Sequence, residues 1–278
     1  MPRAAEGRAG FQNVTMPINK PPEKIAVFMP HLLDGGAERS MLKLSRGIAS
    51  RGYPVDLVLS SAAGPFTAEV PETVRLVDLK SPRVLMSLPL FIRYLRKERP
   101  AAVLSVMHAN LVALWAKRLA GVPVRVVVSE RNTLSVESRR LRADLRMRLM
   151  PALVRWFYPW ADGITAVSRG AADDLARVTG LPGGRVRVIY NPIITPEMMK
   201  KAQEGVDHPW FKPGQPPVVL GAGRLSPQKD FTTLIQAFAL VRKRHPARLL
   251  ILGEGDERRR LEALVKQLGL EDDVSLPG

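Results

Sequence analysis

An arginine and a lysine on a glycine-bearing turn are the groups in this sequence best suited to holding an anion. They are Arg224 and Lys229 in the stretch Gly221-Ala-Gly-Arg-Leu-Ser-Pro-Gln-Lys-Asp230. The apolar run Val218-Val-Leu220 before it reads as a buried strand. After it, Leu234, Ile235, Phe238 and Val241 recur at helical spacing, so the stretch is a strand-to-helix turn. Ser226 is the expected N-cap and Pro227 the first helical residue, which places Lys229 in the first turn. A cation there opposes the helix dipole at a cost of a few tenths to about 1 kcal/mol. An anion held between ammonium, guanidinium and free N–H groups reverses that sign. Spacing alone leaves two readings open. Gly221, Gly223, Arg224 and Lys229 form a diphosphate site, or the two cations are solvated and Asp230 offsets the dipole.

Three further clusters carry chemistry. His31-Leu-Leu-Asp-Gly-Gly-Ala-Glu38 follows an apolar run and precedes a helical face, so Gly35 and Gly36 occupy a turn where backbone passes close to a ligand or to another segment. His108-Ala-Asn110 directly follows an apolar strand pattern. His108 at a strand's carboxyl end can accept a proton or bind a sugar hydroxyl, or it can simply pack, and Asn110 is placed to cap the next helix. Ser129-Glu-Arg-Asn132 follows a valine-rich strand pattern. There Glu130 can orient a ligand hydroxyl and Arg131 can hold a phosphate, with Asn132 beside them; equally, Glu130 and Arg131 can pair with each other.

The elements that position these residues alternate. Strand patterns at 25–29, 55–59, 74–79, 101–106, 124–129, 163–167 and 185–190 are separated by helical patterns, including 85–97 and 109–120. Such alternation predicts an α/β fold with a doubly wound parallel sheet, in which ligands sit outside the carboxyl ends of the strands. The spacing predicts a loose N-terminal tail over 1–23, a Rossmann-like domain over 24–192 and a Pro-rich polar linker over 193–216. A second, partial Rossmann-like domain follows over 217–278. Only three strand patterns are found in that second part, whereas a nucleotide-binding half needs roughly five or six. Uncovered apolar surface, self-association or dependence on a second chain that completes the domain is the expected consequence.

Composition narrows the function classes. The chain of 278 residues has no cysteine, which removes disulfide frameworks and thiolate metal sites and is compatible with a reducing compartment. Its four histidines are dispersed, and no metal is expected. The net charge of +16 calls for a polyanionic partner. No nucleic-acid reader motif accompanies it, so nucleic acid is not the expected partner. Residues 137–162 interleave Arg139, Arg140, Arg142, Arg146, Arg148 and Arg155 with leucines and tryptophans at steps of four. That pattern suits a helix lying on an anionic membrane surface, or a plain amphipathic helix with its leucines on the sheet.

The opening stretch resembles the G-x-G-R-L-x-x-x-K-(D/N) signature of the family 4 retaining glycosyltransferases, which have the GT-B fold. The GGAE turn, the A-V-S pattern at 166–168 and the V-I-Y-N-P string ending at Pro192 resemble the same family. The resemblance implies that Arg224 and Lys229 grip the diphosphate of a UDP- or GDP-sugar and stabilise the departing nucleotide in place of a metal. The nucleotide sugar is then the substrate, and no cofactor is needed. It also implies retention of anomeric configuration and donor contacts from Gly35, Gly36, Gly221, Gly223, Asn191 and Glu254. Many members carry a histidine where this chain has Glu130, and the S-E-R-N variant is associated with the branch that builds surface polysaccharides on lipid carriers. Glu130, Arg131 and Asn132 are therefore the expected acceptor-binding residues, with Glu130 and His108 joining Arg224 and Lys229 as catalytic candidates. The expected acceptor is a lipid-linked sugar or polysaccharide, and the expected location is cytoplasmic, peripheral at the inner face of the membrane. The family's glutamate pair that holds the donor sugar has no counterpart before Gly278, so the expected alternative is a truncated, inactive phosphate- or nucleotide-binding protein.

Overall fold

The computed structural model describes residues 23–33, 35–140, 145–182 and 184–278, and the side chains at 139, 140 and 145–147 are likewise outside the description. The chain divides into two units, Met1–Thr195 and Pro196–Gly278. The predicted tail lies almost wholly outside the described residues.

The first unit is a parallel sheet wound on both faces. Its elements are β1 (Ile25–Met29), α1 (Gly36–Ala49), β2 (Val55–Leu59), β3 (Val74–Asp78), α2 (Leu88–Glu98), β4 (Ala102–Val106), α3 (Ala109–Ala120) and β5 (Arg125–Glu130). They continue with α4 (Leu134–Arg140), α5 (Leu145–Phe157), β6 (Gly163–Ala166), α6 (Arg169–Thr179) and β7 (Val186–Val188). Sheet order is β3-β2-β1-β4-β5-β6-β7, and every neighbouring pair is parallel.

Why β1 lies at the centre follows from its composition. Ala26 to Met29 are all solvent-free, and successive residues feed opposite cores. Ala26 and Phe28 pack with Phe91, Leu114 and Ile164, whereas Val27 and Met29 pack with Met41, Leu57 and Leu59. A strand covered on both faces needs an unbroken apolar run rather than an alternating one. The order reverses between β1 and β4, and that switch point is where a crevice opens at the carboxyl ends. The segments leaving β1, β4 and β5 carry Gly35 and Gly36, His108, and Glu130.

The opposite, amino edge carries a structural charge cluster. Asp56 on β2 accepts from Arg75 Nε at 2.9 Å and from the Tyr94 hydroxyl at 2.7 Å. Glu98 meets Arg75 at 2.7 Å. Burial pushes the Asp56 carboxyl up, but the bonds from Arg75 and Tyr94 outweigh it and hold the group below its ordinary value. Hydrogen bonds from Arg75 and Lys24 draw Glu98 down to about 2.

The second unit contains α7 (Pro196–Lys201), β8 (Val218–Ala222), α8 (Phe231–Arg242), β9 (Arg248–Leu252), α9 (Arg258–Gln267) and β10 (Val274–Ser275). Its parallel sheet has the order β10-β9-β8. Leu225, Phe231, Ile235, Leu249, Ile251 and Leu261 form its core. Val219 and Leu220 on β8, and Leu240 and Val241 on α8, remain exposed. The segment read as a linker contains α7 and a short 3-10 turn at Pro209–Phe211.

Candidate functional site

In the first unit a pocket opens where β4 and β5 end. Its lining includes Met107, His108, Asn110, Glu130, Asn132 and Tyr158. Met107 has φ 59, a conformation costly for a residue with a side chain, and such strain is tolerated mainly where the surrounding fold imposes it. The sharp turn it makes leaves His108 exposed at the pocket and brings Asn110 into the interior, 1% exposed.

Asn110 does not cap α3 as its position predicts. The N-cap residue is His108, without a side-chain cap bond. Asn110 Nδ2 instead donates to the Ser129 carbonyl at 3.3 Å and to the Tyr158 hydroxyl oxygen at 2.9 Å. Its Oδ1 is buried with no hydrogen-bond partner among the described residues. An amide placed this way serves its neighbours at some expense to the fold.

Glu130 is the last residue of β5 and is buried. Its Oε2 accepts from the Tyr158 hydroxyl at 2.9 Å and its Oε1 from the Arg131 backbone N–H at 3.1 Å. Burial pushes its carboxyl up to about 7, against hydrogen bonds from Tyr158 and from the backbone N–H groups of Arg131 and Asn132, while Glu137 adds a smaller push upward. The group is therefore poised between acid and carboxylate at neutral pH, where proton exchange with a hydroxyl is most efficient. Burial, then the charge of Glu130, raises the Tyr158 hydroxyl well above its usual range, so it stays a donor.

Beyond that backbone bond, the Glu130 and Arg131 side chains have different partners. The Arg131 guanidinium bonds Asn191 Oδ1 and lies 3.3 Å from Met41 Sδ. Asn132 Nδ2 donates to Glu137 Oε2 at 3.0 Å. The paired glycines also differ in purpose. A Cβ on Gly35 would meet Glu38 Oε2 at 2.2 Å, so this glycine makes room for the buried Glu38 carboxyl, whereas Gly36 has open space around it. Tyr158 has no distinguishing mark in the sequence, and only the tertiary fold brings it beside the end of β5.

The second unit holds the turn from Gly221 to Asp230, and here one expectation is corrected. The N-cap of α8 is Asp230, not Ser226, and the helix begins at Phe231. Pro227 lies in the turn, where Lys229 N–H bonds the Ser226 carbonyl at 2.9 Å. The reason is chemical. Asp230 tolerates the left-handed φ of 52 that the turn requires, and there its carboxylate accepts from the Thr233 N–H and hydroxyl. Asp230 already accepts from Thr233 N–H, so that donor of the first helical turn is occupied from within the chain. The Arg224 and Lys229 side chains are both exposed.

The backbone of this turn is zipped to the loop after β9. Gly223 N–H bonds Leu252 O at 2.9 Å, Leu225 N–H bonds Glu254 O at 2.8 Å, and Glu257 N–H bonds Leu225 O at 3.0 Å. Contact is so close that a Cβ on Gly253 would fall 2.0 Å from Gly223 O, and one on Gly255 2.3 Å from Leu225 O. Gly221 fits under Phe231 and Leu234, and the Lys229 stem lies across the face of Gly223, 3.2 Å from where a Cβ would stand. Glycines at 221, 223, 253 and 255 thus shape the platform that presents the two cations. The Glu254 carboxylate is engaged by Arg258 at 2.6 Å.

The basic stretch at 137–162 is only partly described, with Arg139, Arg140, Arg142 and Arg146 outside the described side chains. On α5 and the turn after it, Val154 and Tyr158 are buried, while Arg148, Leu149, Arg155 and Trp156 are exposed. Trp160 faces inward, against Phe157 and beneath Arg118. No helix among the described residues is long and apolar enough to cross a membrane.

Comparison with known proteins agrees with this layout. The profile "Glycosyl transferases group 1" matches residues 204–278. A Campylobacter jejuni protein named N-acetylgalactosamine-N,N'-diacetylbacillosaminyl-diphospho-undecaprenol 4-alpha-N-acetylgalactosaminyltransferase is 29% identical over 267 residues, 92% of this chain and 69% of its own length. The lipopolysaccharide core biosynthesis glycosyltransferase LpsE of Rhizobium meliloti is 27% identical over 253 residues, 88% of this chain and 64% of that protein. Among solved structures, Anabaena Alr3699/HepE in complex with UDP superposes with a TM-score of 0.66 at 20% identity, covering 92% of this chain and 69% of that one. The fold is of the GT-B type, with Rossmann-like architecture. The profile "Glycosyltransferase Family 4" matches residues 34–196, more than half of the chain, and the chain therefore belongs to glycosyltransferase family 4.

Proposed function

We propose that this chain carries the diphosphate grip and the acceptor pocket of a transferase that moves a sugar from a UDP- or GDP-sugar to a lipid-linked or polysaccharide acceptor. The observation that carries the reading is the presentation of Arg224 and Lys229. Two exposed cations stand on a glycine turn whose backbone is fixed by the neighbouring loop. As the glycosyl bond breaks, charge accumulates on the leaving diphosphate, and cations already in place stabilise it without reorganisation. No divalent metal is required by this reading, and configuration is retained. The open space around Gly36 admits a ligand's close approach. Asn191 contributes through Arg131, and Glu254 through the loop that supports the turn.

In the acceptor pocket, Glu130 accepts the hydrogen bond of the attacking hydroxyl, with exposed His108 contacting the same sugar. Arg131 and Asn132 set the surroundings of the acceptor. Relatives support this class of acceptor. The Campylobacter enzyme is named for a diphospho-undecaprenol substrate and the Rhizobium one for lipopolysaccharide core biosynthesis. HepE binds UDP and UDP-glucose. Exposed Arg148, Leu149, Arg155 and Trp156 suit contact with an anionic membrane at the cytoplasmic face, where such acceptors are held.

The test is sugar transfer from UDP- and GDP-sugars to polyprenyl-diphosphate-linked acceptors by the full-length protein. Transfer that disappears in Arg224→Ala, Lys229→Ala supports the reading. Transfer that persists undiminished in that variant contradicts it.

A further inference from the structure

The pocket contains two groups that the proposed reaction does not use directly. Tyr158, 2% exposed, and Asn110, 1% exposed, are packed behind Glu130. Hydrogen-bond chemistry fixes the direction of every proton between them. An amide NH2 can only donate, and Asn110 Nδ2 spends its two hydrogens on Ser129 O and on the Tyr158 hydroxyl oxygen. The hydroxyl oxygen is thereby occupied as an acceptor, and its own hydrogen is left for Glu130 Oε2. The chain of donation runs one way, from α3 through Tyr158 to the end of β5.

Its seat is rigid. Tyr158 opens the 3-10 turn Tyr158–Trp160 that follows α5. That turn closes with Ala161 N–H on Tyr158 O at 3.0 Å, and Arg185 holds Ala161 O at 2.8 Å. Next to it, Asp162 accepts from the Val126 N–H of β5 and from Lys117 of α3, both at 2.6 Å. The phenol is thus anchored to the strand that bears Glu130 and to the helix that bears Asn110. Preorganisation of this kind fixes a reacting group within a fraction of an ångström.

We infer that Tyr158 and Asn110 are positioning residues of the transfer reaction, with Asn110 aiming the Tyr158 hydroxyl so that it holds the Glu130 carboxyl in the pocket and favours its carboxylate form. The inference rests on the reading of Glu130 as the acceptor-facing group. The other charged or titratable groups around Glu130 are Arg131 beside it, Glu137 on α4 and His108 at the pocket. Neither Glu137 nor His108 replaces the bond from Tyr158, because no hydrogen bond joins them to the Glu130 carboxyl among the described residues; its donors there are the Tyr158 hydroxyl, at Oε2, and the backbone N–H groups of Arg131 and Asn132.

The experiment is a titration of Glu130 by carbon-13 carboxyl NMR in the full chain, with its signal assigned by loss in Glu130→Gln. The wild-type midpoint is expected at about 7. Tyr158→Phe keeps the ring and removes the donor, so the midpoint should rise by about half to one unit. Asn110→Ala should raise it less. In transfer assays the acidic limb of the kcat profile should move with the midpoint, and KM for the nucleotide sugar should not change. A purely structural role would lower the folded fraction without moving the midpoint. An unmoved midpoint in folded Tyr158→Phe overturns the inference, and should that variant fail to fold, an unmoved midpoint in Asn110→Ala does so. Lost transfer in Glu130→Gln with an unmoved midpoint removes the positioning role and leaves the acceptor reading intact. Full transfer in Glu130→Gln removes both.

Discussion

The two candidate sites of this chain handle charge in opposite ways. In the first unit the Glu130 carboxyl is buried and held by a tyrosine and backbone N–H groups, and burial drives it to about 7. In the second, two exposed cations stand on a turn whose backbone is bonded to the 253–257 loop, with glycines permitting the close approach. The difference matches the tasks proposed for them. A group that exchanges a proton with a neutral hydroxyl benefits from a protonation state balanced by desolvation. A group that clamps a diphosphate must stay charged and must be reached by a large anion, so exposure with a rigid backbone serves it better.

Variants that separate the two sites can break this comparison. The largest expected effect is that of Arg224→Ala, Lys229→Ala, which removes both countercharges to the leaving group. Transfer should fall by about a thousandfold or more, while the Glu130 titration stays in place; a shifted titration would show that the sites are not separable. Glu130→Gln should lower transfer by about a hundredfold to a thousandfold and leave UDP affinity unchanged, as read by calorimetry. Weakened UDP binding in that variant would count against the division of labour.

A smaller effect concerns stability and pH. Glu130 has a folded value near 7 against an ordinary 4.5, so the folded state binds the proton more tightly than the unfolded chain. Its contribution is fully present below about 4.5 and is lost as pH rises through 7. Relative to Glu130→Gln, the wild type should lose on the order of 3 kcal/mol across that window, measurable as a fall in Tm that the variant lacks. The Asp56 and Glu98 cluster has the opposite sign. Those carboxyls sit below their ordinary values, so their stabilisation is present above the unfolded values and disappears as pH falls toward about 2. The smallest effects belong to the glycines. Gly223→Ala should displace the Lys229 stem and weaken UDP binding by about tenfold or less. Gly36→Ala has open space and a helical position, so Tm should hold or rise slightly, and any drop in transfer would report a ligand's approach there.

How much of this was legible in the sequence follows from the same contrast. The phosphate turn is contiguous, so its strand, glycines and cations all lie within about a dozen residues and can be read from spacing. The one local error, Ser226 for Asp230 as the N-cap, arose because two capping residues compete within one turn and only tertiary packing decides. Strand positions are legible because β1 and β5 are apolar runs, whereas β8 extends two residues past its apolar run, through Gly221 and Ala222, which have no strand signature. The pocket was only half legible. Glu130 and His108 follow strands and could be located. The pairing of Glu130 with Tyr158, 28 positions later, and of Asn110 with both depends on which strand lies beside which. Arg131 illustrates the same point, since its guanidinium bonds Asn191, 60 positions later.

The central claim is that Arg224 and Lys229 bind a nucleoside diphosphate. Calorimetric titration of UDP and GDP into the wild type and into Arg224→Ala, Lys229→Ala tests it most directly. The account predicts saturable binding of at least one nucleotide by the wild type, weakened by about a hundredfold or more in the variant, since each charge-assisted contact is worth roughly 1.5–3 kcal/mol. Equal affinity in the two proteins would contradict it.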